Sequence, residues 1–315
     1  MDYKRIIKSR AVREKILRML SFIPDRMMLK IQYRIKTGRR LRIDDPVRFT
    51  EKLQWYKLYY RDPEMIQCVD KFEVRDYVRG KGYSHILNQC YGVFDRFQDV
   101  DPDRLPERFV LKDTLGSGGN AVILCPDREQ ADWAQIRKQT DAWCAVPLVR
   151  GGGREWPYYS GKRHRILAEE YLKPAAGEEL LDYKFFCFGG KAEFVYVCSG
   201  RRGGRSVQID IVSPDYEKLD VVRVNDEPTA PLPEKPENFE EMLRTAEALS
   251  EGFPHVRVDL YDPDGTVRFG ELTFFNASGY MIYDPDQFDI DIGKKFTLPS
   301  GPAETEDRFS GRRRQ

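Results

Sequence analysis

A segment near the carboxyl end of the chain carries two acidic side chains that could bind a divalent cation. Residues 256–261 alternate apolar and polar side chains, Pro-Asp-Gly follows at 263–265, and residues 266–273 lead back. Pro-Asp-Gly is typical of a three-residue hairpin loop, a type I turn closed by a left-handed glycine. In that register Asp259 and Glu271 are diagonal neighbours, with Cβ atoms about 7 to 8 Å apart or somewhat less. Two carboxylates at this spacing can reach the same Mg²⁺, which binds oxygen ligands.

The register of this hairpin decides whether the acidic pair can form. A two-residue turn would place Asp259 and Glu271 on opposite faces, whereas the three-residue turn puts both on one face with Arg257 and Thr273. In the three-residue register Arg257 faces Glu271 directly. The alternative interpretation is an edge hairpin with a cross-strand Arg257–Glu271 ion pair, worth about 0.5 kcal/mol.

A glycine-rich loop lies between two β-type segments, at 109–112 and 121–125. The run from Gly116 to Ala121 fits the relaxed dinucleotide pattern G-x-G-x-x-A, but that fingerprint requires a helix directly afterwards. No G-K-[ST] string exists for a Walker A loop. What remains is a hairpin whose N–H groups could cover phosphates while Lys112 supplies a point charge. The alternative is an ordinary mobile hairpin with a surface lysine.

Composition removes several classes of protein. The chain has 315 residues, of which 41% are hydrophobic and 33% charged, with a mean hydropathy of −0.61. This predicts a soluble globular protein, and we expect it to be cytoplasmic because no apolar run reaches the roughly 20 residues of a membrane span. The six Cys form no C-x-x-C pair, the three His are far apart and no G-x-S-x-G occurs. Zinc sites, Cys/His catalysis and a serine-hydrolase elbow are therefore disfavoured.

Charge is distributed unevenly along the chain. The formal net charge is +1, yet residues 1–42 carry 14 Lys and Arg against three acidic residues. Overall neutrality argues against general nucleic-acid binding. The basic amino-terminal arm could contact an anionic membrane or a glycosyltransferase, which would make the protein peripheral at the inner face of the cell membrane. The alternative is a solvated helix face.

The coarse pattern of elements predicts an α+β protein with a mainly helical first part. Hydrophobic periodicity and stop signals favour helices at 3–20, 24–38, around 55–59, and at 62–80, 127–143 and 237–252. Strands are predicted at 85–88, 108–112, 121–125, 166–172, 183–188, 193–198, 206–211 and 221–224, followed by the hairpin over 256–275.

The order of these features resembles the ATP-grasp superfamily. A lysine precedes the glycine loop, an acidic strand ends in Glu-Tyr-Leu at 170–172, an Asp-x-Lys strand follows at 182–184, and an Arg-x-Asp at 257–259 precedes a glutamate about a dozen residues on. More narrowly, the chain is similar to the TupA-like branch, named for teichuronopeptide biosynthesis and found in bacterial surface-polysaccharide clusters. The resemblance covers about residues 45–300, and it depends on the order of the motifs.

The resemblance implies a nucleotide site. Lys71 and Lys112 would contact the phosphates, the loop from Gly116 would close over them, and Asp182 would bind the ribose hydroxyls. Glu170, with the backbone of Tyr171 and Leu172, would bind the adenine edge. The full set is Lys71, Lys112, Gly116, Ser117, Gly118, Gly119, Glu169, Glu170, Tyr171, Leu172, Asp182 and Lys184. Two members of this set have an alternative interpretation without a role in nucleotide binding. Glu169 could be a solvent-facing partner of Arg165, and Lys184 could be a charge at a strand edge.

The resemblance also implies a metal and a catalytic residue. Asp259 and Glu271 would hold Mg²⁺, and Arg257 would stabilise the transferring phosphoryl group or an oxyanion. The family pattern commonly has an asparagine two residues after the glutamate, where this chain has Thr273. Thr273 or Asn276 would then supply the third ligand.

The fold implied is an ATP-grasp fold, in which two α+β subdomains with antiparallel sheets clasp ATP behind an amino-terminal helical segment. The expected organisation is a basic helical arm at 1–44, a helical and α/β region at 45–105, a small subdomain with the glycine loop at 106–172, a carboxyl-terminal subdomain with the metal site at 173–301, and a disordered basic tail at 302–315.

The implied function is an ATP- and Mg²⁺-dependent carboxylate–amine ligase that acts through an acyl phosphate. Its substrates would be a carboxylate and an amine, with the carboxylate on a sugar acid or precursor of a bacterial cell-surface polysaccharide. Phosphoryl transfer needs positioning and cations more than a covalent nucleophile, which suits a chain with few His and Cys. Two alternatives stay open: a kinase acting on a sugar or other hydroxyl acceptor, and a non-catalytic nucleotide-binding scaffold protein at the membrane.

Overall fold

The computed structural model describes residues 19–116, 121–147, 152–174, 179–200 and 207–299. Within these ranges it contains seven α-helices and eleven strands. The helices are α1 (Asp25–Thr37), α2 (Phe49–Tyr59), α3 (Pro63–Cys68), α4 (Val74–Gly80), α5 (Trp133–Cys144), α6 (Phe239–Ser250) and α7 (Gln287–Lys295). The strands are β1 (Cys90–Phe94), β2 (Phe109–Asp113), β3 (Val122–Cys125), β4 (Ile166–Glu170), β5 (Asp182–Phe188), β6 (Lys191–Ser199), β7 (Gln208–Val212), β8 (Val222–Arg223), β9 (His255–Tyr261), β10 (Arg268–Thr273) and β11 (Tyr283–Asp284).

The strands form two main sheets and one small one. The four-stranded sheet has the order β1-β4-β2-β3, the five-stranded sheet has the order β10-β9-β5-β6-β7, and β11 pairs with β8. Neighbouring strands within both main sheets are antiparallel. The predicted α+β class with antiparallel sheets is confirmed.

The five-stranded sheet is covered on both faces, and strand alternation decides which side chains reach which cover. Phe185 packs against Phe239 of α6 with ring centroids 5.6 Å apart, whereas Phe186 contacts Phe49 of α2 at 6.3 Å. Because successive side chains of a strand point to opposite faces, Lys184 lies on the α2 side with Phe186. The α2 face of the sheet therefore has an apolar part at Phe186 and, two residues earlier in β5, a charged part at Lys184.

The four-stranded sheet carries the glycine-loop hairpin. β2 pairs with β3 from Phe109 opposite Cys125 to Lys112 opposite Val122, as the sequence predicts. The ring of Trp133 in α5 stacks on Phe109 at 5.9 Å, which covers one face of this sheet. Residues 117–120, which include the predicted loop members Ser117, Gly118 and Gly119, lie outside the described residues.

Helices α1, α2 and α7 are joined to one another through buried hydrogen bonds. The hydroxyl of Tyr33 in α1 bonds to Thr50 Oγ1 of α2 at 2.9 Å. The carboxylate of Asp289 in α7 accepts from the backbone N–H of Thr50 at 3.0 Å and from its hydroxyl at 2.7 Å. The predicted helix at 3–20 and the tail at 302–315 fall almost entirely on residues outside the described ranges.

Several predicted boundaries are wrong for identifiable reasons. The single helix expected over 62–80 is two short helices, because the buried Asp70 carboxylate accepts from the backbone N–H groups of Phe72 and Glu73 and begins a new turn. The strand expected at 85–88 is a short 3-10 turn at Ser84–Ile86, and the strand forms later, as β1. Helix α5 begins six residues late because Asp132 accepts from Gln135 N at 2.9 Å and caps it. The sequence analysis missed α7.

Candidate active site

The two acidic side chains of the last hairpin lie opposite each other. Glu271 pairs with Asp259, and Thr273 pairs with Arg257, with a register shift between Phe269 and Glu271. Gly270 occupies this β-bulge. The three-residue turn register, which puts Asp259 opposite Phe269, is therefore wrong by two residues of β10. Tyr261 pairs with Arg268, one residue beyond that register, and the bulge at Gly270 adds the second residue. The shared face is confirmed, and the two carboxylates are closer neighbours than predicted.

Arg257 joins both carboxylates from the same face. Its Nε and Nη2 donate to Asp259 Oδ1 and Oδ2 at 2.6 and 2.7 Å, and Nη2 also donates to Glu271 Oε1 at 3.0 Å. Its Nη1 donates to Asn276 Oδ1, while Thr273 Oγ1 donates to Glu271 Oε1 at 3.3 Å. The guanidinium thus holds both acidic groups and Asn276, three residues after the end of β10, in a fixed arrangement.

Lys184 brings a second buried cation to the same face. Its Nζ donates to Asp182 Oδ2 at 2.7 Å and to Asp259 Oδ2. Lys184 lies opposite Asp259 in the β5–β9 pairing, near the middle of the sheet. The alternative of a strand-edge charge for Lys184 is wrong. Asp182 is fully buried, and in this arrangement its carboxylate holds Lys184; its contact with a ribose stays a prediction.

Lys71 reaches the hairpin from the helical part of the chain. The break after Asp70 lets the backbone N–H of Lys71 donate to Thr114 O at 2.9 Å, beside the glycine loop. The Lys71 ammonium donates to Gly116 O at 2.5 Å and lies 3.7 Å from Glu271 Oε2. Lys71 therefore connects the start of the loop with the acidic pair.

Lys112 forms an ion pair with Glu169 across the four-stranded sheet. Glu169 is buried, so its alternative as a solvent-facing partner of Arg165 is wrong; Arg165 instead pairs with Asp70 and Glu73. Lys112 and Glu169 share a face because Val110 lies opposite Glu169, two residues before Lys112.

Glu170 belongs to the other face of β4. Its Oε2 accepts from the backbone N–H of Gln89 at 3.0 Å, and β4 ends at this residue. Tyr171 and Leu172 follow the strand, both partly exposed. The adenine contacts predicted for these three residues stay predictions.

The electrostatics of the site show how the cations combine. Burial alone raises the pKa of Glu271, but Lys71, Arg257, Lys184 and Lys112 lower it more, and the resulting pKa is about 2. Four cationic side chains from separate segments thus act on one carboxylate. This is the convergence of distant lysines with the acidic hairpin that the order of motifs implies.

Asp259 has a different environment. Burial raises its pKa, although Arg257 and Lys184 oppose this shift. Its two oxygens already accept three hydrogen bonds, close to the four positions that a carboxylate offers. Glu271 keeps 36% of its side chain exposed. Among the described residues no three His, Cys, Asp or Glu side chains group as a metal site, so the acidic donors here are the two carboxylates.

The donor chemistry fits a hard cation. Both acidic groups offer carboxylate oxygens, the ligand type of Mg²⁺, and Glu271 faces outward. The oxygens of Thr273 and Asn276 lie beside this pair, but Arg257 occupies Asn276 Oδ1. Which of these two residues completes a metal site stays a prediction.

The sequence analysis missed the loop at Asn276–Gly279, whose first residue accepts a hydrogen bond from Arg257. Ala277 and Ser278 adopt positive φ values of 44° and 55°, an unusual pair for residues with side chains. Ser278 Oγ donates to Glu155, and Ser278 O accepts from Lys57 Nζ at 2.7 Å. The turn-forming composition of Asn-Ala-Ser-Gly at 276–279 is the signal that could have indicated it.

Similar solved structures come from ligases. The chain resembles a D-alanine–D-alanine ligase from Bacillus anthracis complexed with ATP, at 14% identity and a TM-score of 0.40, over 66% of this chain and 55% of that one. It resembles an L-amino acid ligase from Bacillus licheniformis at 16% identity and a TM-score of 0.40, over 76% and 50%. The chain thus spans about half the length of these two ligases. No curated protein matches it.

A family model supplies the stronger comparison. The model described as TupA-like ATPgrasp matches residues 51–297. The matched range runs from α2 to the residues just after α7, and it contains every residue predicted for the nucleotide and metal sites. The chain therefore belongs to the TupA-like ATP-grasp family.

Proposed function

We propose that the protein is an ATP- and Mg²⁺-dependent carboxylate–amine ligase that releases ADP and phosphate. The observation that supports this most is the group of cations around Glu271. Lys71 and Lys112 come from segments about 140 residues or more before the hairpin. Lys71 Nζ nevertheless lies 3.7 Å from Glu271 Oε2, and both lysines contribute to the lowered pKa of Glu271. Lysines, an arginine and carboxylate-bound Mg²⁺ are enough for the positioning and charge stabilisation that phosphoryl transfer requires.

In this proposal each residue of the cluster has one task. Lys71 and Lys112 bind phosphate oxygens of ATP, and Asp259 and Glu271 hold Mg²⁺, which supplies charge neutralisation of the phosphates. Lys112 leaves Glu169, and Lys71 leaves Glu271, when the phosphates arrive. Arg257 stabilises the charge of the transferring phosphoryl group, because Asp259 holds its guanidinium beside Glu271 and Asn276, to which Nη2 and Nη1 donate.

The reaction proceeds in two displacements. An oxygen of the substrate carboxylate attacks the γ-phosphorus of ATP, the bond to the β,γ-bridging oxygen breaks, and ADP leaves. The product is an acyl phosphate. A neutral amine then attacks the acyl carbon, the C–O bond to phosphate breaks, and the amine gives up a proton as the amide forms. Neither displacement needs a covalent nucleophile from the protein.

The family match is the basis for a proposed class of substrate. We propose a sugar acid, or another precursor of a bacterial cell-surface polysaccharide, as the carboxylate, and an amino acid or similar amine as the acceptor of the activated acyl group. The TupA-like family match supports this class, and the cationic character of the site suits an anionic substrate.

Hydroxylamine trapping combined with an ADP-release assay tests the reaction. Candidate sugar acids are supplied with ATP and Mg²⁺, first with hydroxylamine and then with amino acids. A ligase yields a hydroxamate with hydroxylamine and an amide with the amino acid, one ADP for each. ADP formed from a hydroxyl acceptor without any amine would instead identify a kinase, and an absence of turnover with preserved ATP binding would favour the scaffold alternative.

A pair of lysine variants links the reaction to the site. We expect Lys112→Ala to weaken ATP binding by about tenfold or more, since a charge-assisted phosphate contact contributes about 1.5 kcal/mol or more. Lys191→Ala removes an exposed lysine of β6 that pairs with Glu247 of α6, and it should leave ATP binding unchanged. Equal effects of the two substitutions would contradict the proposed phosphate site.

A further inference from the structure

Helix α1 has two faces with distinct surroundings. On the inner face Met28, Leu29 and Tyr33 are fully or nearly fully buried. Gln32 on the same face donates to Gly152 O at 2.7 Å and accepts from the Tyr280 hydroxyl at 2.6 Å. The helix is thus fixed to the body of the protein in one orientation, and its other face points outward.

The outer face is unusually apolar for a surface helix. Met27, Ile31 and Ile35 are 56%, 43% and 46% exposed, at the i, i+4, i+8 spacing that aligns side chains along one stripe. Met19 and Phe22, just before the helix, are 69% and 79% exposed. Of the nine large hydrophobic side chains exposed in the described part of the chain, five lie between residues 19 and 35. Scattered exposed apolar residues need no explanation, but a concentrated set does.

The remaining outward side chains of this helix are basic. Lys30 and Arg34 are exposed and lie between the apolar residues of the stripe. The helix has one acidic residue, Asp25, which lies 3.6 Å from Arg154 Nε and is largely covered. The exposed Asp44 nearby is paired with Arg26. An apolar stripe mixed with cations fits a surface that is apolar within and negative at its boundary.

We propose that Met27, Lys30, Ile31, Arg34 and Ile35, the α1 outer face, dock on the surface of an anionic lipid bilayer. The apolar side chains enter the boundary between headgroups and acyl chains, and Lys30 and Arg34 contact lipid phosphates. The sequence on the amino side is also basic, with seven Lys and Arg against two acidic residues over 1–18. A second copy of the chain is a poorer occupant, because a symmetric contact would place Lys30 and Arg34 against like charges.

Vesicle co-sedimentation of the full chain tests this docking. Phosphatidylcholine vesicles with and without phosphatidylglycerol are compared at low and high salt. We expect binding only with the anionic lipid, weakened by salt. The combined substitution Met27→Ser, Ile31→Ser and Ile35→Ser should lower the partition coefficient at least tenfold, and Lys30→Glu with Arg34→Glu should do the same.

Val222→Ser with Val224→Ser is the matched control, because these valines are 38% and 39% exposed and lie on another element. It should bind vesicles as the unsubstituted protein does. Circular dichroism and ATP binding verify that each variant is folded. Three results would overturn the proposal: unchanged binding by the triple serine variant, equal binding to neutral vesicles, or a dimer in sedimentation velocity that the triple variant dissociates. Because vesicle binding is measured without turnover, a failed ligase assay leaves this test intact.

Discussion

Asp259 lies directly opposite Glu271 across β9 and β10, and one guanidinium, that of Arg257, bonds to both carboxylates. The two acidic groups nevertheless differ. Asp259 is buried and accepts three hydrogen bonds from Arg257 and Lys184, whereas Glu271 keeps 36% of its side chain exposed. Removing either charge should therefore affect folding and catalysis in different proportions.

For Glu271→Gln we expect a loss of function with little loss of stability. The amide keeps the shape of the side chain but lowers its affinity for Mg²⁺, and turnover should fall about 100-fold or more. Because the side chain is partly exposed, the free energy of unfolding should fall by about 1 kcal/mol or less. Mg²⁺ titration of ADP release and urea unfolding measure the two effects. A variant that keeps its turnover would remove Glu271 from the metal site.

Asp259→Asn should instead lose stability. The substitution leaves the buried cations Lys184 and Arg257 with one carboxylate fewer, a change that typically costs about 3 to 5 kcal/mol. Urea unfolding at neutral pH measures it. A loss no larger than that of Glu271→Gln would mean that water enters the cluster and that the pair is less buried than its geometry indicates.

His255 should make the protein sensitive to acid. Burial lowers its pKa to about 3, while an unfolded chain protonates histidine near pH 6.5. Between these values the unfolded state binds more protons, so the free energy of unfolding rises with pH, and it falls by about 1.4 kcal/mol for each pH unit of acidification below 6.5. The His255→Phe variant should lose this dependence, as measured by urea unfolding at pH 7, 6, 5 and 4.

The pH dependence of the His255→Phe variant must be compared with that of the unsubstituted protein, because a buried carboxyl group changes the free energy of unfolding in the opposite direction. Burial raises the pKa of Asp289 to about 6, so the folded state binds the extra proton between about pH 4 and 6. At pH 7 the variant loses the hydrogen bond from His255 to Cys187 O, about 1 kcal/mol. If the two proteins show parallel pH profiles, His255 is not the group responsible.

The sequence predicts the chemistry of the site better than its geometry. The shared face of Asp259 and Glu271 is predicted, but for a different reason from the one in the structure. Tyr261 pairs with Arg268, a register that alone would put the two carboxylates on opposite faces, and the bulge at Gly270 returns them to one face. The register depends on the bulge at Gly270. A glycine inside a strand pattern is a known sign of a bulge, so the string Phe-Gly-Glu at 269–271 contained this information.

The remaining errors come from contacts that no local pattern contains. Asp70 breaks the helix expected at 62–80 and thereby brings Lys71 to Thr114, a tertiary arrangement. Glu169 and Lys184 look like ordinary strand charges until β4 and β5 are both flanked by other strands in their sheets. The order of motifs predicts which side chains belong to one site because that order is characteristic of a family. Hydrophobic periodicity does not contain this information.

Lys57→Met should show how much the buried ammonium of Lys57 lowers the free energy of unfolding. Burial lowers the pKa of Lys57 to about 7, so the unfolded state binds more protons between about pH 7 and 10.5 and the free energy of unfolding rises with pH there. The variant should lose this rise of about 1.4 kcal/mol per pH unit. Ser278 O keeps a partner, since Gln54 Nε2 donates to it at 3.0 Å.

The same variant should lower turnover about tenfold, because Lys57 holds the loop at 276–279 that carries Asn276 to Arg257. Urea unfolding from pH 6 to 9 and ADP release measure the two effects. Lys235→Met is the control, as Lys235 pairs with Glu240 on the surface and should change neither. If Lys57→Met retains full turnover, the loop does not need this anchor.

Gly270→Ala tests the bulge that places Glu271 opposite Asp259. A Cβ at this position would lie 2.9 Å from Asp259 O and 2.9 Å from Tyr261 Cε2. The backbone oxygen cannot yield without moving β9, so β10 must shift, at a cost of about 1 to 3 kcal/mol. Glu271 moves with it, and the apparent affinity for Mg²⁺ in the ADP-release assay should fall about tenfold or more.

Gly80→Ala separates this effect from the general consequence of replacing a glycine. No atom lies within 4 Å of a Cβ built at Gly80, which ends α4, so that variant should be unchanged or slightly more stable. If Gly270→Ala kept the Mg²⁺ dependence while losing stability, the position of Glu271 relative to Asp259 would not limit catalysis. Loss of both, with Gly80→Ala unchanged, would tie the bulge to the metal site, because Gly270 itself has no side chain that could bind the ion.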